Sequence, residues 1–99
     1  MKTSKAAPQT LIWIHGWGMA PAVWDAMISS LPDYQHIKVD FTACDTVDAM
    51  LETIIQTIDA SSPAGDMMLV GWSLGGMLAM EAASLREQRL KGLVAISTP

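Results

Sequence analysis

Cysteine occurs once in these 99 residues, at Cys44, and histidine only twice, at His15 and His36. A single thiol excludes an internal disulfide and a Cys-rich metal site, and it is the usage of a reducing compartment, so a cytoplasmic protein is expected. Charge is sparse as well: 16% of residues are charged, and six basic against ten acidic residues leave a net charge of −4. No stretch has the basic density that draws a chain to phosphate backbones or anionic bilayers, which excludes nucleic acid and membrane as expected partners. No apolar run approaches the roughly 20 residues that cross a bilayer. The opening MKTSKAAPQT runs from two lysines into polar Gln9 and Thr10 without the apolar centre of a secretory signal.

What the chain does have is apolar residues, 51% of the total, enough for the buried core of one small domain. TLIWI (10–14) is a continuous apolar run bounded by Pro8 and Gly16, the signature of a strand buried on both faces. PAVWDAMISSL (21–31) opens with proline at a first helical position and carries Trp24, Met27, Ile28 and Leu31 on one helical face. HIKVDF (36–41) reads as a second strand. VDAMLETIIQTI (47–58) has an apolar stripe of Val47, Met50, Leu51, Ile54, Ile55 and Ile58, with Asp45 or Thr46 as its N-cap. After the loop SSPAGD come a strand over 67–71, a helix from 74 to about 88 and a strand over 92–97. Strands alternating with helices predict an α/β fold, a parallel sheet covered on both faces, whose ligands sit at the carboxyl ends of the strands.

Both glycine-rich loops fall at such ends. Gly71-Trp72-Ser73-Leu74-Gly75 satisfies G-x-S-x-G between a strand and a helix. A tight turn there strains the serine backbone, and side chains at 71 and 75 would collide, so glycine is required. Such a turn lifts the Ser73 hydroxyl clear of the sheet as a nucleophile and leaves the Leu74 N–H, at a helix start, free to hold an oxyanion. The loop HGWGM supplies the second donor, with Trp17 N–H as the candidate. Gly71, Gly75 and Gly76 then shape one turn, while Gly16, Gly18 and a hydrogen-bonding His15 shape the other. Trp17 and Trp72 either wall an acyl pocket or pack, whereas Trp13 and Trp24 read as core. Arg86, Arg89 and Lys91 complement the last helix's dipole or form a patch for an acidic carrier. Cys44 reads as a passive thiol.

GWGMAP followed by Asp40 offers a competing dinucleotide-binding pattern. Trp17 crowds the turn where a pyrophosphate would approach, and Pro21 stands where the third glycine belongs. That reading also leaves the serine turn unexplained.

On these motifs the sequence resembles the α/β-hydrolase superfamily over nearly the whole chain. HGWGM…W together with VGWSLGG is similar, within it, to methyl ester esterases of biotin synthesis. The resemblance implies a serine carboxylesterase with Ser73 as nucleophile, Trp17 and Leu74 as oxyanion donors, and a small acyl methyl ester, carried on acyl carrier protein, as substrate. The reaction would pass through an acyl-enzyme and need no metal or cofactor. Other acyl hydrolases, thioesterases, acyltransferases and a non-catalytic binding module share the scaffold. The loop DFTACDTVD (40–48) stands where many relatives have a DLPGxG-like stretch. The superfamily orders its triad serine, acid, histidine, yet no histidine follows Ser73. The chain is therefore expected to be the amino-terminal portion of a single hydrolase domain, with the lid, acid and base beyond Pro99.

Overall fold

Apolar alternation with period two sorts the side chains of the central strands to opposite faces of the sheet. The computed structural model describes residues 8–61 and 66–98. The opening stretch, positions 62–65 of the SSPAGD loop and Pro99 lie outside the described residues. Strand β1 is Thr10–Ile14, β2 is Gln35–Val39, β3 is Met67–Trp72 and β4 is Gly92–Ile96. They form one parallel sheet in the order β2-β1-β3-β4, with Ile14 beside Val39 on one side and beside Gly71 on the other. Helix α1 is Asp25–Ser29, α2 is Val47–Ala60 and α3 is Leu74–Leu85.

The chain steps from β1 to β2 in one direction and from β2 back past β1 to β3 in the other. Right-handed crossovers then send α1 to one face and α2 and α3 to the opposite face. The packing follows this division. Ile12, Ile14, Val39, Met67 and Leu69 meet Met50, Ile54 and Ile58 of α2 and Leu78, Ala79 and Ala82 of α3 in the larger core. Leu11, Trp13 and Val70 face the other way and pack against Trp24, with Trp72 and Ile96 at the margin. Trp13 and Trp24 are core residues as expected, each 1% exposed, with rings 5.0 Å apart.

Helix α2 is capped by Thr46, one of the two cap candidates, and its hydroxyl accepts the Ala49 N–H at 3.0 Å. The other boundaries move for local reasons. The segment expected to be helical over 21–31 begins as a 3-10 turn, Pro21–Trp24, because proline lacks an N–H and no side chain caps the start. It closes again on i to i+3 bonds from Ser30 to Met27 and from Leu31 to Ile28, so Met27 is exposed rather than inward. The second strand spans 35–39 rather than 36–41, since the Asp40 carboxylate accepts the Thr42 N–H and folds the chain out of the sheet. Helix α3 stops at Leu85, not 88. Arg86 leaves helical geometry to fork onto Asp59 of α2 at 2.8 and 3.0 Å, and a 3-10 turn, Glu87–Arg89, follows. The last strand ends one residue before the expected Ser97.

Ile54 is fully buried between α2 and the sheet, whereas Met80 on α3 is half exposed. Ile54→Ala should cost about 2–5 kcal/mol in denaturant unfolding of the full-length protein. Met80→Ala should stay within about 0.5 kcal/mol of the wild type in the same measurement.

Candidate active site

β1 and β3 are neighbours whose connections depart to opposite faces, so the crevice at their carboxyl ends is where a ligand fits a sheet of this kind. Ser73 occupies the single position between β3 and α3, with φ 57° and ψ −121°. A positive φ at a non-glycine residue costs on the order of 1–3 kcal/mol and survives only where the surroundings impose it. Here they do. The Ser73 N–H donates to Ile96 O at 2.9 Å, prolonging the β3–β4 ladder by one step. Its carbonyl accepts the N–H groups of Gly76 at 2.9 Å and Met77 at 3.2 Å. The Ser73 hydroxyl caps nothing, which leaves it available at the tip of the turn.

The glycines make this turn sterically feasible. A Cβ on residue 71 would collide with the Gly75 carbonyl oxygen and stand 2.7 Å from both Gly75 C and Gly76 Cα. One on residue 75 would collide with Ile14 O and stand 2.6 Å from His15 O. Both obstacles are backbone that cannot swing aside, so α3 begins in contact with the end of β1. The Leu74 N–H, at the first helical position, has no acceptor within its own helix and carries the positive end of the helix dipole.

Across the crevice, Gly16 to Met19 form a tight turn in which Met19 N–H donates to Gly16 O at 3.2 Å, and Gly18 has φ 76°. A φ of that sign at the third residue of such a turn suits glycine. A Cβ on Gly16 would press to 3.1 Å from the Trp72 carbonyl, so this loop lies against the end of β3. Trp17 is 64% exposed at its tip. A cleft of about 430 Å³ opens beside the loop, lined by Trp17, Met19, Phe41, Cys44 and Met50 among others.

His15 is only 2% exposed and both ring nitrogens are engaged. Nε2 accepts the Phe41 N–H at 3.0 Å, which makes Nδ1 the protonated nitrogen, donating to Gly16 O at 2.8 Å. The ring packs tilted against Phe41, with centroids 4.9 Å apart. His15 is thus a loop-shaping hydrogen bonder. His36 is equally occupied: Nδ1 accepts the Trp13 indole N–H at 2.9 Å, and Nε2–H donates to Leu31 O at 2.8 Å. Neither ring has a nitrogen free for Ser73.

Of the remaining expected residues, Cys44 lines the cleft and the others fall away from the crevice. Trp72 is partly buried and packs at 6.0 Å on Trp24 in the smaller core. Cys44 is half-buried, with Sγ 3.5 Å from the Thr53 hydroxyl. Arg86 and Arg89 bind Asp59 and the Ser61 carbonyl at the amino-terminal edge of the sheet, opposite Ser73. Their role in joining α2 to α3 was not visible in the sequence, because Asp59 is 27 residues from Arg86. That hydrogen-bonded guanidinium holds the Asp59 carboxyl below its usual range. Among the described residues no three His, Cys, Asp or Glu side chains converge as metal ligands, and no helix is long and apolar enough to cross a membrane. Sequence reasoning also passed over Thr98, which lies against this turn from β4. A threonine before a proline carries no motif that could have marked it.

The chain is similar to two curated proteins named pimeloyl-[acyl-carrier protein] methyl ester esterase. It is 33% identical to that of Shewanella woodyi over 93 residues, covering 91% of this chain and 36% of the relative. It is 34% identical to that of Photobacterium profundum over 97 residues, covering 89% and 36%. The chain therefore spans just over a third of the length of these relatives. Among solved structures, a lipase-esterase related protein from Clostridium acetobutylicum superposes with a TM-score of 0.81 at 23% identity, over 93% of this chain and 42% of the other. An α/β superfamily hydrolase from Oenococcus oeni gives 0.75 at 24% identity, over 95% and 39%. Both superpose on more than nine-tenths of this chain. The family model of the thioesterase domain matches residues 9–97, nearly all of the chain, and by that match the chain belongs to the thioesterase domain family, with the fold of the α/β hydrolases.

Proposed function

We propose that this chain carries the nucleophile and the oxyanion donors of a serine carboxylesterase acting on an acyl methyl ester borne by acyl carrier protein. The observation that carries the reading is the uncapped hydroxyl of Ser73 on a positive-φ turn between β3 and α3, facing the loop after β1 across the crevice. The names of the two relatives support the ester and its carrier. The neighbouring cleft has a mixed lining, and its apolar part, from Trp17, Met19, Phe41 and Met50, suits an acyl chain.

In the proposed reaction Ser73 Oγ attacks the ester carbonyl carbon while a base takes its proton. The carbonyl oxygen becomes an oxyanion held by the N–H groups of Leu74 and Trp17. Collapse expels methanol, which receives that proton, and leaves an acyl ester on Ser73. Water activated by the same base then attacks, releasing the acid and regenerating the hydroxyl. The Gly16 carbonyl is engaged by His15 and Met19. In a trans peptide the N–H points opposite to the C=O, so the Trp17 N–H is turned the other way from His15. His15 acts through that peptide plane and not as the base. With His36 also engaged, the base and its acid partner would come from the full-length protein outside these 99 residues.

A second reading is favoured by the family match itself: cleavage of an acyl thioester by the same turn. The two differ only in the leaving group, methanol or a thiol. They separate by comparing kcat/KM for the methyl ester and the thioester of one acyl chain. The esterase reading expects the ester to be preferred, and expects the full-length gene to restore biotin-independent growth to a strain lacking its own pimeloyl-carrier esterase.

Ser73→Ala in the full-length protein should abolish both ester hydrolysis and labelling by a fluorophosphonate; retained labelling would sink the assignment. His15→Ala removes the acceptor of the Phe41 N–H and the donor to Gly16 O. It should lower stability by about 2–4 kcal/mol. It should also lower kcat on the order of 10²-fold through the misdirected donor, which steady-state kinetics at a temperature below the variant's unfolding transition would check.

A further inference from the structure

We propose that Thr98, just past the end of β4, is a positioning residue that locks the Ser73 turn from behind; this inference rests on the reading of Ser73 as nucleophile. Strand β4 and the two residues after it reach that turn at three points. The ladder pairs Trp72 with Ile96, and one step further the Ser73 N–H donates to Ile96 O. The chain then reverses at Ser97, whose φ of 49° makes it the second of the two non-glycine residues with positive φ among the described residues. The reversal lays Thr98 over the first turn of α3. Its Oγ1 is 3.5 Å from Ser73 O and 3.4 Å from Ile96 O, close enough to donate to either. It also fills the space beside Gly76, where a Cβ would collide with Thr98 Oγ1 and stand 3.1 Å from Thr98 Cβ.

An edge strand that merely ended here would need neither the strained serine nor the hydroxyl. Together they add a restraint to the carbonyl of Ser73, already held by the N–H groups of Gly76 and Met77. That carbonyl belongs to the peptide whose nitrogen is Leu74, so the rotation it resists would swing the Leu74 N–H out of line with the Ser73 hydroxyl. Thr98 approaches the backbone side of Ser73 and contacts no reacting atom. Losing it should therefore slow the chemical step without weakening substrate binding. Gly76 has a matching role: a Cβ there would push the Thr98 hydroxyl from its place.

The test compares Thr98→Val, Thr98→Ser, Gly76→Ala and the double variant Gly76→Ala with Thr98→Gly, all in the full-length protein. Fluorophosphonate labelling rate, kcat and KM are read for each. Thr98→Val should lower kcat and the labelling rate by about tenfold with KM unchanged, and Thr98→Ser should restore most of that loss. Gly76→Ala should lower kcat on the order of 10²-fold, and the added Thr98→Gly should recover about tenfold of it by removing the colliding side chain. If Gly76→Ala does not fold, the Thr98 pair decides. Wild-type kcat in Thr98→Val, or equal losses in Thr98→Val and Thr98→Ser, would overturn the role of Thr98 while leaving Ser73 untouched. A wild-type protein that takes no label overturns the Ser73 reading instead.

Discussion

The positive φ of Ser73 is the constraint on which the rest of the carboxyl-end architecture depends. A strand can turn into a helix within one residue only if the side chains on both sides vanish, and they do at Gly71, Gly75 and Gly76. The short turn brings the first residues of α3 against the carbonyls of Ile14 and His15, so the loop after β1 begins at a fixed distance from the serine. The small residues continue along the helix: Ala79 and Ala82 are fully buried, and they let α3 lie close on the sheet beside α2. Backbone strain at one residue is thus balanced by packing over the whole helix, the relation expected where strain persists in a folded chain.

A second theme is the engagement of both histidine rings, whereas the buried Trp24 indole N–H, packed on Trp72, has no partner. His15 joins the loop after β1 to the chain after β2, accepting from Phe41 and donating to Gly16. His36 does the same on the opposite face, between the Trp13 indole and the Leu31 carbonyl. Each imidazole serves as a strut with one donor and one acceptor; the buried position of His15 requires this, since an orphaned buried group costs about 1–3 kcal/mol. The same engagement removes both rings from proton transfer. The arrangement separates two roles: His15 beside the crevice holds loops, and the Ser73 hydroxyl caps nothing.

Ion pairing at the amino-terminal edge, Arg86 with Asp59, ties the end of α3 to the end of α2, and both groups are exposed enough that solvent screens much of the attraction. At the carboxyl end, Lys38 pairs with Asp25 and the Asp40 carboxylate accepts the Thr42 N–H, while beside the crevice the start of α3 presents free N–H groups and a positive dipole end. Such a site favours developing negative charge on an oxygen without attracting anions over long range, in keeping with a chain whose net charge is −4.

Apolar run length, helical spacing and glycine punctuation determined the element order and the strand–turn–helix setting of Ser73, because these depend on residues only a few positions apart. The parallel sheet followed from the alternation of strands and helices, since parallel neighbours need a crossover between them. Thr46 could be proposed as a cap, but its choice over Asp45 needed the Ala49 N–H in place. Tertiary structure alone decided the strand order β2-β1-β3-β4, which places the two glycine loops across one crevice. It alone ended α3 at Leu85, by drawing Arg86 to Asp59, and it alone showed both histidines to be engaged and Thr98 to press on Gly76. Each of these contacts joins residues more than twenty positions apart, where local pattern carries no information and only packing of the whole sheet brings the partners within reach.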